Sequence, residues 1–102
     1  MIHVIAAIEL RPGTRNQFLS VFHKLMPQVH AEKGCLDYGP TVDARTDIAA
    51  QTPWRESVVT IVERWESLAA LKAHLATPHM AQYRQDVKGL VERVTLQILE
   101  PA

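Results

Sequence analysis

Residues 57–83, SVVTIVERWESLAALKAHLATPHMAQY, hold a strand, a short helix, a sharp stop and the start of a second helix. In the strand, Ser57 to Trp65, β-branched residues dominate, as a pleated and half-buried surface favours. Val59, Ile61, Glu63 and Trp65 share one face; Val58, Thr60, Val62 and Arg64 share the other. Both faces carry apolar side chains. Ser67 is placed to cap the next helix, where Leu68, Leu71 and Leu75 form the expected buried stripe and His74 falls at its margin. Thr77 then caps a further helix with Pro78 at its first position, where proline is preferred. Met80, Tyr83 and Val87 give that helix its inner face, and Gly89 stops it. The segment carries the aromatic and imidazole groups best suited to chemistry, Trp65, His74, His79 and Tyr83. It has no glycine-rich phosphate loop, no close Cys/His metal spacing and no nucleophile elbow.

Outward from this segment, Ile2 to Leu10 reads as a strand with Ile2, Val4, Ala6, Ile8 and Leu10 on one face. His3, Ile5, Ala7 and Glu9 lie on the other, which is therefore not cleanly polar. Arg11-Pro12-Gly13 breaks the strand, and Thr14 with Gln17 fits a capping box. A helix is expected from there to about Lys33, with Phe18, Val21, Phe22, Leu25 and Val29 inward, Pro27 kinking it and Gly34 as a left-handed cap. His23 and His30 share a face turned from the apolar stripe and read as solvated. Cys35 to about Thr46 reads as a second strand interrupted by Gly39-Pro40. Cys35 is most simply a small buried hydrophobe. Tyr38, beside that bend, is either core or pocket lining. The stretch from Asp47 to Glu56 has no clear period, and its Trp54 packs either on another subunit or back on its own chain. Leu90 to Leu99 is the last strand, with Leu90, Val94, Leu96 and Ile98 on one face. The order is β-α-β-β-α-α-β: an α+β, ferredoxin-like, four-stranded antiparallel sheet with helices on one face. The other face asks for cover, and a second copy of the chain is the simplest source.

The chain has 102 residues, which predicts one domain spanning 1–102. Its 11 Lys plus Arg balance 11 Asp plus Glu. That balance argues against a nucleic-acid binder, which would need a basic stripe, and against electrostatic attachment to an anionic membrane. Cys35 is the single cysteine, so no intrachain disulfide forms and a reducing, cytoplasmic setting fits. The opening MIHVIAAIEL lacks the basic start of a signal peptide, and no apolar run approaches the roughly 20 residues of a membrane span.

Glu32-Lys33-Gly34-Cys35, Tyr38, Glu63-Arg64-Trp65-Glu66-Ser67 and His74-Leu75-Ala76-Thr77-Pro78-His79-Met80 together resemble the antibiotic biosynthesis monooxygenase domain family. The Val42-Asp43 pair and the long loop before Ser57 resemble in particular its bacterial quinol monooxygenase branch. The resemblance implies a dimeric α+β barrel, two sheets face to face, with a pocket in each subunit between sheet and helices. It implies oxygenation or oxidation of quinols or related electron-rich polycyclic phenols by molecular oxygen, with no flavin, haem or metal cofactor. A haem-degrading branch shares the strand-three tryptophan and the helix-two histidine. It also uses an asparagine in the first strand, where this chain has Ala6 and Ala7. A dimer that binds quinones or aromatic metabolites without turnover would use the same pocket.

Such oxygenation needs an ionised substrate, hence a base and a stabiliser of the oxyanion in a dry pocket. His74, in the last turn of its helix, sits where the dipole favours the imidazolium, and is expected to stabilise or donate to the anion. His79, in the first turn of the next, is expected to stay neutral and act as base. Trp65 is expected to stack on a flat ring, and Tyr38 and Tyr83 to hydrogen-bond a quinone oxygen. No metal site is expected; Glu63 is expected to orient a histidine or to pair with an arginine.

Overall fold

In a computed structural model that describes all 102 residues, the elements are β1 (Ile2–Leu10), α1 (Arg15–His30), β2 (Cys35–Thr41), β3 (Val58–Trp65), α2 (Leu68–Leu75), α3 (Pro78–Val87) and β4 (Val91–Leu99). The four strands form one antiparallel sheet in the order β2-β3-β1-β4. This is the ferredoxin-like α+β arrangement, in the order read from the alternating and helical periods. No helix is long and apolar enough to cross a membrane.

The β1–β3 register sets Val4 opposite Glu63, Ala6 opposite Ile61 and Ile8 opposite Val59. These side chains lie under the helices and are buried with Phe18, Phe22, Leu25 and Val29 of α1. The other face carries Ile5, Ala7, Thr60 and Val62, and Val62 is 38% exposed. On edge strand β4, Val94, Leu96 and Ile98 pair with Ile8, Ala6 and Val4 and so belong to the helix side. Each is about half exposed, because the helices do not reach across the edge.

Several local expectations are corrected. Thr14 precedes α1 but does not cap it: its hydroxyl donates back to the Arg11 carbonyl at 2.7 Å, closing the turn instead of a capping box. Helix α1 ends at His30, and a turn carries the chain on to Gly34 at φ 88°. A Cβ on Gly34 would lie 2.7 Å from the Ala70 Cβ, so this close approach of the turn to α2 requires glycine. His30 is not simply solvated, since its Nε2 lies 2.8 Å from the Tyr38 carbonyl oxygen. Strand β2 stops at Thr41.

The buried face of α2 also differs. Leu68 and Leu75 are exposed at 45% and 38%, whereas Leu71 and His74 are buried. The imidazole is turned inward because it has a carboxylate partner there, which a bare apolar period does not reveal. The caps of α2 and α3 are as expected: Ser67 Oγ accepts from the Ala70 amide and Thr77 Oγ1 from the Met80 amide. The arm after β2 folds back on its own chain. Asp43 takes two bonds from the Arg55 guanidinium at 2.8 and 2.9 Å, the Trp54 indole donates to the Asp43 carbonyl, and the Arg45 guanidinium stacks 3.8 Å above the Trp54 ring.

Candidate active site

A cavity of about 290 Å³ lies between the sheet and the helices. Phe22, Tyr38, Ile61, Glu63, His74 and Tyr83 line it, with Val94 and Leu96 of β4. Its size is near the lower end of the roughly 300–1,000 Å³ of small-ligand sites, and its walls are mostly apolar. The aromatic rings are mutually packed. Tyr38 stacks on Phe22 at 5.3 Å, and Tyr83 meets Phe22 edge-on at 6.0 Å.

His74 reaches this cavity from the last turn of α2. Its Nδ1 lies 2.9 Å from Glu32 Oε2, and His79 Nε2 lies 2.7 Å from the same oxygen. An ionised carboxylate only accepts, so both imidazoles donate to it. That fixes His74 as the tautomer protonated at Nδ1, with the Nε2 lone pair free. Nε2 has no partner within the chain, yet no buried side-chain nitrogen or oxygen is left unbonded. It is therefore open to the cavity that His74 lines. Trp65 packs against the imidazole at 4.6 Å and Tyr38 lies edge-on to it at 5.4 Å.

Burial holds the His74 pKa below the ordinary histidine value, with the bond to Glu32 pulling the other way and the charges of His79 and Arg84 adding to the depression. This reverses the direction expected from the helix dipole. A dipole contribution of about 0.3–1 kcal/mol is outweighed when an imidazole is taken almost wholly out of water.

The sequence-selected residues are not all in one place. Tyr38, His74 and Tyr83 line the cavity. Burial raises both tyrosine pKa values, so the phenols stay protonated donors. Trp65 is fully buried behind His74 and does not line the cavity. His79 lines a neighbouring, more polar cleft with Lys24, Gln28 and Asp86, which shares Tyr83 with the cavity, and its Nε2 bonds Glu32, the partner of His74. The nitrogens of His74 and His79 and a Glu32 oxygen lie within 4.8 Å of one another, the one grouping whose donor types suit a divalent metal. Both imidazole N–H groups are engaged by the carboxylate.

Two acidic residues matter more than the sequence indicated. Glu32 sits in the turn after α1, where no periodicity marks it, and Gly34 brings that turn against α2. Glu63 is 6% exposed and accepts a bond from Trp65 Nε1 at 2.9 Å. Burial pushes its pKa up to about 7; the indole bond pulls it back and the Glu32 charge adds to the rise. The available signal was an acid on the inward face of β3, between Ile61 and Trp65.

Residues 1–86 match the model of a family described as antibiotic biosynthesis monooxygenase. The Escherichia coli K12 protein named "Probable quinol monooxygenase YgiN" is 44% identical over 103 residues, covering 99% of this chain and 98% of that one. The solved structure of Rv0793 from Mycobacterium tuberculosis is 27% identical with a TM-score of 0.81, covering 99% of this chain and 94% of that chain. PA3566 from Pseudomonas aeruginosa shares the fold at a TM-score of 0.82 and 24% identity, covering 99% and 93%.

Proposed function

We propose, from the premise that this chain belongs to the antibiotic biosynthesis monooxygenase family, that it is a monooxygenase which uses molecular oxygen to oxygenate a small quinol in the apolar cavity, its own side chains supplying the catalysis. The observation that carries this is the Glu32–His74 pair, which holds an imidazole as a neutral base with its free nitrogen toward the cavity. The printed name of the E. coli relative supports the quinol.

His74 Nε2 takes a hydroxyl proton, and the resulting quinolate reduces oxygen more readily than the neutral quinol. The Tyr38 and Tyr83 hydroxyls donate to the developing oxyanion. Trp65 and Glu32 hold the imidazole in place, and His79 steadies Glu32. In this reading the roles expected of the two histidines change over: His74 is the base and His79 a positioning residue. A cavity of about 290 Å³ suits a two-ring quinol better than a haem.

The open sheet face, with Ile5, Ala7 and Val62, is where a second copy would pack to form the dimeric barrel. The free Cys35 fits a cytoplasmic setting. Sedimentation at micromolar concentration tests the dimer, and a monomer there would refute it. Oxygen uptake with a reduced naphthoquinol, above the uncatalysed rate, tests the activity. His74→Ala is expected to lower kcat/KM by about 100-fold or more. Binding without oxygen uptake by the unaltered protein would make the chain a quinone-binding protein instead.

A further inference from the structure

We propose that Glu63 is a second catalytic residue of this cavity, taking the proton of a second ring hydroxyl while His74 takes the first, so that the site suits a hydroquinone over a monophenol. This rests on the quinol reading above and adds to it the number and placement of the substrate's acidic groups.

The geometry is specific. The Glu63 carboxyl lines the cavity, is almost wholly buried, and has its Oε1 fixed by the Trp65 indole N–H at 2.9 Å. An indole nitrogen is a donor only, so it orients the carboxyl without exchanging protons with it. The other oxygen takes no hydrogen bond from the chain, and no arginine or lysine pairs with Glu63. Since no buried side-chain oxygen is left unbonded, Oε2 is open to the cavity. A buried carboxyl without a cation is costly where an apolar residue would complete the wall between Ile61 and Trp65, opposite Val4. The indole that orients Glu63 also packs on His74, so one side chain positions both proton acceptors.

The proton balance calls for two acceptors. When a hydroquinone becomes a hydroxyquinone, both hydroxyl protons leave and one oxygen atom enters at a ring carbon. Four electrons pass to dioxygen, whose second atom departs as water with the two protons. His74 Nε2 and Glu63 Oε2 hold those protons until the water forms.

A pH dependence follows. Glu63 must be ionised to accept, and burial places its titration at about 7. The titratable and charged groups facing it are Glu32 and Cys35 near the turn, Tyr38 on β2, His74 on α2, and Tyr83 and Arg84 on α3. Strand β1 offers Val4 and Ala6, which do not titrate.

The test compares 1,4-naphthohydroquinone with its monomethyl ether as substrates of the full chain under air, across pH 5.5–8.5. The unaltered protein is expected to prefer the diol by about tenfold or more, with kcat/KM rising through pH ~7. Glu63→Gln keeps an acceptor for the indole but no proton acceptor. It is expected to lower diol turnover about 100-fold, erase the preference and remove the rise near neutrality. Equal diol-to-ether ratios and equal pH profiles in the two proteins would overturn the proposal. If Glu63→Gln does not fold, a diol-to-ether ratio near one in the unaltered protein overturns it and a ratio of about ten or more upholds it. If the unaltered protein turns over no quinol, the reading under Proposed function fails. Anaerobic binding of the same two compounds, followed by tryptophan fluorescence, then decides Glu63. Tighter diol binding as pH rises through ~7, lost in Glu63→Gln, upholds it; equal affinities for diol and ether overturn it.

Discussion

Glu32 and Glu63 are carboxyls of the same small interior held in opposite ways. Glu32 receives two imidazole N–H bonds, at 2.9 and 2.7 Å, and its acceptor capacity is turned toward its own chain. Glu63 receives one indole bond at 2.9 Å and faces an apolar wall. A carboxylate with two donors can orient its partners but has little left for a ligand. One with a single donor and no cation keeps a free oxygen and a raised affinity for a proton. The hydrogen bonding thus makes Glu32 an orienting group and leaves Glu63 with a free oxygen toward the cavity.

The largest effect expected is from removing the orienting member. Glu32→Ala loses two charge-assisted bonds and leaves the buried His74 Nδ1–H without an acceptor, at a cost of about 3–5 kcal/mol. Urea unfolding measures this. If the variant folds, kcat/KM for a naphthoquinol should fall about 100-fold, because the His74 tautomer is no longer fixed. A loss under about 1 kcal/mol with activity retained would mean that Glu32 is an ordinary surface acid.

The titrating member is exposed by pH. Glu63 moves from 4.5 to about 7 on folding, so between those values the native chain holds a proton that the unfolded chain has released. Its contribution to stability is fully present below pH 4.5 and lost as pH rises through about 7. That amounts to about 3 kcal/mol. His74 acts with the opposite sign: its lowered pKa contributes stability above the ordinary histidine value of 6.5, which is lost as pH falls. The two partly offset each other in the unaltered protein. The stability difference between Glu63→Gln and the unaltered protein isolates the Glu63 contribution, and should move by about 3 kcal/mol in favour of the variant from pH 4.5 to 8. A difference independent of pH would place Glu63 with the ordinary carboxyls.

How much of this contrast was legible depends on periodicity. The strand and helix order was readable because β1, β3 and α1 carry clear periods of two and 3.6. Glu63 was readable in principle, since an acid at an inward position of β3 breaks a face made by Val59, Ile61 and Trp65. Glu32 was not. It lies in a turn with no period, and its partners are 42 and 47 residues away. The inward face of α2 was misjudged for the same reason. Leucine spacing favours Leu68 and Leu75, while the tertiary bond to Glu32 turns His74 in.

A smaller effect separates the two carboxyls through the indole. Trp65→Phe keeps the ring that packs on His74 but removes the donor to Glu63. The lost bond should cost about 1–2 kcal/mol. Because that bond lowers the Glu63 pKa, its removal should shift the neutral-pH titration upward and leave the Glu32 pair in place. Carbon NMR of the labelled carboxyl follows both. An unmoved titration would mean that burial alone sets the Glu63 proton affinity.

The smallest effect falls on the second donor to Glu32. The His79 side chain is 19% exposed, against 1% for His74, so water can replace its bond in His79→Ala. The loss should be about 1 kcal/mol or less, and kcat/KM should fall less than tenfold. The His74 bond survives, so the free Nε2 still faces the cavity. If His79→Ala instead cost as much as Glu32→Ala, the two imidazoles and the carboxylate would form one indivisible unit. His79 would then belong with the proton-handling groups despite lying outside the cavity.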